Sequence, residues 1–196
     1  MTQPHPILEG LVTTFGPDRA PHLAPMGPRV SPDGRHLLLR PFPAAQTFRN
    51  LKAHGEGVFH ITDDVLLLVR AALGQAALPP HRAAEHVRGV VLCDACRAHE
   101  FVVREIVETG ERVHIDAEIV HSETLRDFWG FNRGKHAVLE AAILATRLQF
   151  LDLDQVAAEF ARLRIIVDKT GGHAELEAFA FLQAHLEQVR GERSRT

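Results

Sequence analysis

Apolar and polar positions give this chain two regions of different character. Up to about residue 122 the apolar runs are short and turn-bounded. ILEGLVTTF (7–15) predicts a strand that ends at the turn GPDRAP. HLAPMGPRV (22–30) is extended, but with Pro21 it holds three prolines, which excludes a regular central strand. SPDGR (31–35) is an Asp-Gly turn, joining that stretch to the strand HLLLR as a hairpin. A Pro-broken turn follows, then a short helix over 45–54 that stops near Gly55. GVFHI (57–61) is another strand. Asp63 or Asp64 then caps a helix, VLLLVRAALG, that stops at Gly74.

Pro79-Pro80 marks a loop, and VRGVVL (87–92), EFVVREIVE (100–108) and RVHIDAEIVHSE (112–123) are strand candidates. In the last, Val113, Ile115, Ala117 and Ile119 alternate with polar residues, as in a half-buried strand. ETGER between the last two is a hairpin turn. This first region reads as a mainly antiparallel sheet, closed as a barrel, with short helices. Beyond it the period lengthens. Helices are expected over 132–151, 154–172 and 173–190, the last two as a helical hairpin, with a frayed tail GERSRT. The division is residues 1–125 and a helical 126–196.

Composition narrows the function classes. The chain has 196 residues, 45% of them hydrophobic, enough for an ordinary core. A formal net charge of −3 gives no general attraction to nucleic acid or anionic membrane. No apolar run approaches the ~20 residues of a membrane span, and MTQPHPILEG lacks the regions of a signal peptide. A cytoplasmic protein is expected. Cys93 and Cys96 are spaced C-x-x-C. A zinc site would want two more ligands, and a redox pair would want a helix start. Two reduced thiols near a strand end is the preferred reading. The 13 histidines show no metal-ligand spacing, so no metal is expected.

Chemistry concentrates in LLLRPFPAAQTFRNL (37–51). A strand ending in Arg40 runs into a helix bearing Thr47, Arg49 and Asn50. A helix N-terminus with an arginine and a hydroxyl beside it can hold a phosphate. Thr47 and Asn50 share one side of the helix, while Phe48 and Leu51 can pack the other. On spacing alone, plain helix capping with a solvent-facing arginine is slightly the more common outcome. In APMGPRV, Gly27 would let backbone approach a flat ligand and Met26 could pack on a ring; an irregular edge strand is the alternative. On the helix 132–151, His136, Glu140 and Arg147 form a stripe with Lys135 adjacent. A buried structural network is preferred there over a pocket lining. DFWGFN (127–132) suits a core or a dimer interface. No nucleophile stands out.

Taken together, ILEGLVTTFGPDRAPHLAPMGPRV, LLLRPFPAAQTFRNL, GEGVFHITDDVLLLVRAAL and FNRGKHAVLEAAILATRL resemble the DUF447 family, over about residues 7–190. More distantly, His22–Gly27 and Gln46–Ile61 resemble flavin-reductase-like split-barrel proteins. The resemblance implies an α+β, mainly β, antiparallel split β-barrel with a C-terminal helical subdomain. It implies a homodimer with FMN near the subunit interface. Thr47 and Asn50 would contact the phosphate or ribityl chain, with Arg40 as phosphate partner. The backbone of Ala24, Pro25, Met26 and Gly27 would face the isoalloxazine ring. Gln46 stands where the reductases often have Asp, and Met26-Gly27 replaces their Phe-Ser. The expected function is a flavoprotein of oxidoreductase type. The alternative is a module that binds flavin or a pterin without turnover.

Overall fold

The computed structural model describes residues 5–110 and 112–195. They fall into two units. One holds the chain up to Thr62 together with Ala77–Phe128; the other holds Asp63–Ala76 and the chain from Trp129 onward.

The first unit contains β1 (Gly10–Phe15), β2 (Pro21–Met26), β3 (Arg29–Val30), β4 (His36–Leu39), α1 (Gln46–His54) and β5 (Glu56–Ile61). After an excursion come β6 (His81–Ala83), β7 (Val90–Leu92), β8 (Arg97–Thr109) and β9 (Arg112–Thr124). Seven strands form one antiparallel sheet in the order β2-β1-β5-β8-β9-β4-β3. Its two edges approach each other. Leu8 N donates to Pro28 O at 3.1 Å and Val30 N donates to Pro6 O at 3.1 Å, so the segment entering β1 pairs beside β3. The sheet therefore curls into a half-open barrel. Pro21 and Pro25 sit on edge strand β2, where their missing N–H groups break no central ladder. The β3–β4 hairpin turns at Gly34, whose φ of 69° favours glycine.

Alternation on β9 buries Val113, Ile115 and Ala117, which meet Leu37, Leu39, Val12, Phe59 and Phe101 in one core. Phe48 and Leu51 of α1 close it. α1 stops at Gly55, in left-handed φ of 67°, whose N–H caps Leu51 O at 2.8 Å. Of VRGVVL only Val90–Leu92 is a strand, and it pairs with β6 in a separate two-stranded sheet. The expected ETGER turn includes Glu111, which lies outside the described residues; Gly110 has φ 74°.

The second unit is helical: α2 (Val65–Ala72), α3 (Arg133–Ala145), α4 (Leu153–Thr170) and α5 (His173–Arg193). Asp64 caps α2 by accepting from Leu67 N at 2.9 Å. The sequence division at 125/126 left α2 with the barrel. In the structure Val65 and Val69 share a core with Ala141, Phe160, Phe179 and Leu182, so α2 belongs with the helices. α3 ends at Ala145, short of the expected 151, and the chain turns through a short 3-10 helix that buries Leu148. α5 runs past its expected end because Arg193 donates to Leu148 O at 2.7 Å, anchoring the last turn.

The expected buried His136–Glu140–Arg147 network does not form. All three are exposed, and α3 buries Ala137, Val138 and Ala141 instead. The charge on this helix that is partly buried and paired is Lys135, whose Nζ lies 3.1 Å from Glu175 and donates to Asp63 O at 2.6 Å. The DFWGFN segment is not core either. Trp129 is 88% and Phe131 93% exposed. No described helix is long and apolar enough to cross a membrane.

Candidate functional site

The Pro41–Pro43 break is what starts α1. Ala45 at its N-cap is extended and offers no side-chain oxygen, so the first-turn amides receive no side-chain cap from it. The amide groups that a Ser or Asp would cover are left for another acceptor.

The polar residues of α1 form a chain. Arg49 donates to Gln46 Oε1 at 2.7 Å and to Ala44 O at 2.9 Å. Gln46 Nε2 donates to Asn50 Oδ1 at 2.7 Å, and Asn50 Nδ2 donates to the Thr14 hydroxyl at 2.9 Å. Thr14 is in turn paired across β1–β2 with His22. Burial and then the Arg49 charge push the His22 pKa below its ordinary value, so the neutral imidazole is favoured there. Thr47 and Asn50 are 2% and 1% exposed. The helix therefore has no polar face turned to solvent at these positions. Asn50 acts as a tie from α1 to β1, with both ends of its amide engaged.

His22, Ala24 and Met26 alternate onto one face of β2, and Met26 packs against the barrel core. The space that a Cβ on Gly27 would enter is taken by Ile7, 2.9 Å away, and the Glu9 carboxylate, 3.1 Å away. Glycine is required there by the N-terminal segment itself. Arg40 is placed differently. It follows Leu37 and Leu39, which point into the core, and alternates onto the other face with Leu38. Its Nε is buried without a hydrogen-bond partner among the described residues. Its carbonyl accepts from Arg112 at 3.2 Å, and the Arg112 guanidinium stacks 3.3 Å over the Phe42 ring. The structure thus joins Gln46 and Asn50 to β1, and sets Arg40 beside Arg112 and Phe42. Among the described residues no hydrogen bond links Arg40 to Thr47 or Asn50.

Sequence reasoning passed over a third feature. A cavity of about 610 Å³ in the barrel unit is lined by Phe15, Arg19, His54, Val87, Arg88 and Val90 among others. It borders the Asn50 tie, since a Cβ on its lining Gly16 would sit 3.9 Å from Asn50 Oδ1. Arg19 stands at a left-handed φ of 61°, an uncommon conformation for a non-glycine residue. His54 Nε2 is buried with no partner among the described residues. GPDRAP had signalled only a turn. The two cysteines are free, Cys93 exposed and Cys96 buried, and both follow β7 rather than opening a helix.

A curled antiparallel barrel whose α1 packs on β1 and β2, followed by a helical unit, is the FMN-binding split-barrel architecture with a C-terminal extension. The family described as protein of unknown function DUF447 matches in two parts, its N-terminal domain over residues 8–126 and its C-terminal part over 132–184. The chain belongs to this family. It is similar to an FMN-bound family member from Methanosarcina mazei: 21% identity, 92% of this chain, 95% of that one, TM-score 0.79. It is similar over its barrel to flavoredoxin from Methanosarcina acetivorans: 14% identity, 62% of this chain, 69% of that one, TM-score 0.51. An FMN-binding protein from Thermus thermophilus with bound 1-cyclohex-2-enone matches at 16% identity, 62% of this chain, 72% of that one, TM-score 0.50.

Proposed function

We propose that this chain binds FMN and works as a flavoprotein of oxidoreductase type. The observation that carries the reading is the uncapped first turn of α1, set against β1 and β2 of a split barrel. The donor chemistry fits the cofactor. Amides at a helix start and a guanidinium with an orphaned, buried Nε suit a phosphate monoester. In this reading Arg40, Gln46 and Thr47 hold the phosphate end. Asn50 reaches the cofactor only through its hold on Gln46. The extended backbone of Ala24, Pro25, Met26 and Gly27 lies along the ring. Bound flavin would supply one- and two-electron transfer, while the chain supplies position and charge. A homodimer belongs to the proposal too, supported by Trp129 and Phe131, large apolar side chains left in solvent.

The first test is the visible spectrum of purified protein, before and after adding FMN. Yellow protein, or uptake of FMN at low micromolar concentration, is expected. A chain that takes up none at hundredfold excess refutes the reading. Arg40→Gln should weaken FMN binding by roughly ten- to a hundredfold, the value of a bond to a charged group. Reduction of the bound flavin by NADH or NADPH separates an enzyme from a binding module. The module gains from one observation: His22 is the ionisable side chain in line with the Asn50 tie, and its pKa is lowered, which leaves little acid there.

A further inference from the structure

We propose that the barrel unit carries a divalent transition-metal site built from Glu85, His86 and His121. The three ligand atoms lie within 4.8 Å of one another. Two imidazoles and one carboxylate are a donor set for zinc-like ions. The residues come from two places. His121 is on β9, and Glu85 and His86 are in the segment just after β6.

What makes the cluster more than a chance grouping is Glu100. It lies opposite His121 in the β8–β9 ladder, is 2% exposed, and is paired with no lysine or arginine among the described residues. Its Oε1 accepts from Glu85 N at 3.1 Å, and its Oε2 accepts from His86 N at 2.6 Å and Val87 N at 3.1 Å. One buried carboxylate thus fixes the backbone that carries two of the three ligands. The same Oε2 stands 3.8 Å from His86 Nδ1. A small ring rotation makes that a hydrogen bond, which places the proton on Nδ1 and turns the Nε2 lone pair outward. A carboxylate behind a histidine in this way orients the ring and raises its basicity toward a metal.

The His86 and His121 rings are stacked, centroids 4.2 Å apart and 23° from parallel. Donors about 2.0 Å from a tetrahedral ion lie about 3.3 Å apart, so binding exchanges the stack for coordination by rotation about the side-chain torsions. His86 and Glu85 are exposed and His121 is half-buried, leaving room for that rotation. The opposing charge is Arg82, with Nη1 3.9 Å from Glu85, but its guanidinium also pairs with Glu123. An ion would add positive charge beside the buried Glu100 carboxylate, offsetting part of its desolvation.

The test is titration of chelator-treated full-length protein with Co2+, read by its ligand-field absorption, and with Zn2+ by calorimetry. One ion per chain is expected. His121→Ala should lower affinity at least tenfold with far-UV circular dichroism unchanged. If that variant misfolds, His121→Gln serves in its place. Cys93→Ser should leave affinity unchanged, since the exposed thiol is the rival ligand. No binding of either ion by wild type at 100 µM, or binding insensitive to substitution of His121 and of His86, overturns the proposal.

Discussion

His60 gives the sharpest quantitative expectation. Its ring is buried between strands of the barrel unit. Nε2 accepts from Leu92 N at 3.1 Å, and Nδ1 is 3.3 Å from Leu11 O, which only a protonated Nδ1 can satisfy. This arrangement needs the neutral tautomer with its proton on Nδ1. A second proton on Nε2 would face the Leu92 N–H. Burial is the largest cause pushing the His60 pKa down to about 4, with His99 nearby adding to it. The unfolded chain keeps an ordinary value near 6.5. Between these values the unfolded state binds a proton that the folded state does not. The stabilisation is therefore complete above about pH 6.5 and is lost as pH falls toward 4. At pH 5 the loss from this one group is about 2 kcal/mol, and at pH 4 about 3. His99 is also pushed down to about 4, by burial first, but its ring is partly exposed and its share is smaller. His22, also lowered, acts in the same direction over this range, whereas the carboxylates with lowered values, Asp33, Glu56 and Glu175, begin to lose their contribution only as pH falls below about 5. The measurement is urea unfolding of wild type and His60→Gln at about pH 7.5, 6 and 5, with slopes checked for constancy. Glutamine can accept from Leu92 and donate to Leu11, so the variant retains the fold with reduced pH sensitivity. Equal losses for both proteins between pH 7.5 and 5 would refute the assignment of this pH dependence to His60.

Lys135→Met should destabilise the helical unit by about 3 kcal/mol, because it removes the cation beside the buried Glu175 carboxylate. Adding Glu175→Gln should recover part of that loss in thermal melts. Gly10→Ala would drive a methyl group into the His60 carbonyl oxygen and the Phe59 ring, so a loss above about 3 kcal/mol or failure to fold is expected, read by soluble yield and urea midpoint. Asn50→Ala should cost about 2 kcal/mol, since it strands the buried Thr14 hydroxyl and Gln46. Its urea midpoint should fall while Arg40→Gln leaves the midpoint nearly unchanged, the reverse of their effects on FMN affinity.

Much of the barrel was legible because its signals are local. The 113–119 alternation, the Asp-Gly turn before β4 and the glycine that ends α1 each carry their physics within a few residues. β6 was not legible: three residues, HRA, are too few to show a period, and the strand exists through pairing with β7. The membership of α2 was hidden for a related reason. An apolar helix face says that it will be buried, but not against which partner, and Val65 and Val69 found theirs among residues some 70 to 115 positions away. The stripe on α3 misled because three polar residues at helical spacing look the same whether they line a buried seam or an outer face. Alanines at 137, 141, 142 and 145 were the better guide to the packed side.

The helix α1 shows most clearly what spacing can and cannot say. Thr47 and Asn50, three apart, were expected on a polar side opposite Phe48 and Leu51, but all four are buried. Their three-residue interval could not reveal that Thr14 stands opposite, ready to take the Asn50 amide. Once it does, the polar side of the helix is a buried tie, and in the proposed FMN reading the groups that would hold the phosphate are the backbone amides ahead of it and the Arg40 guanidinium, just after β4. Fixing Asn50 and Gln46 by internal bonds also fixes the axis along which those amides point. Rigid donors lose little entropy when a ligand arrives. An internally bonded Asn50 thus supports the phosphate reading by a different route: it orients the helix rather than touching what the helix would hold.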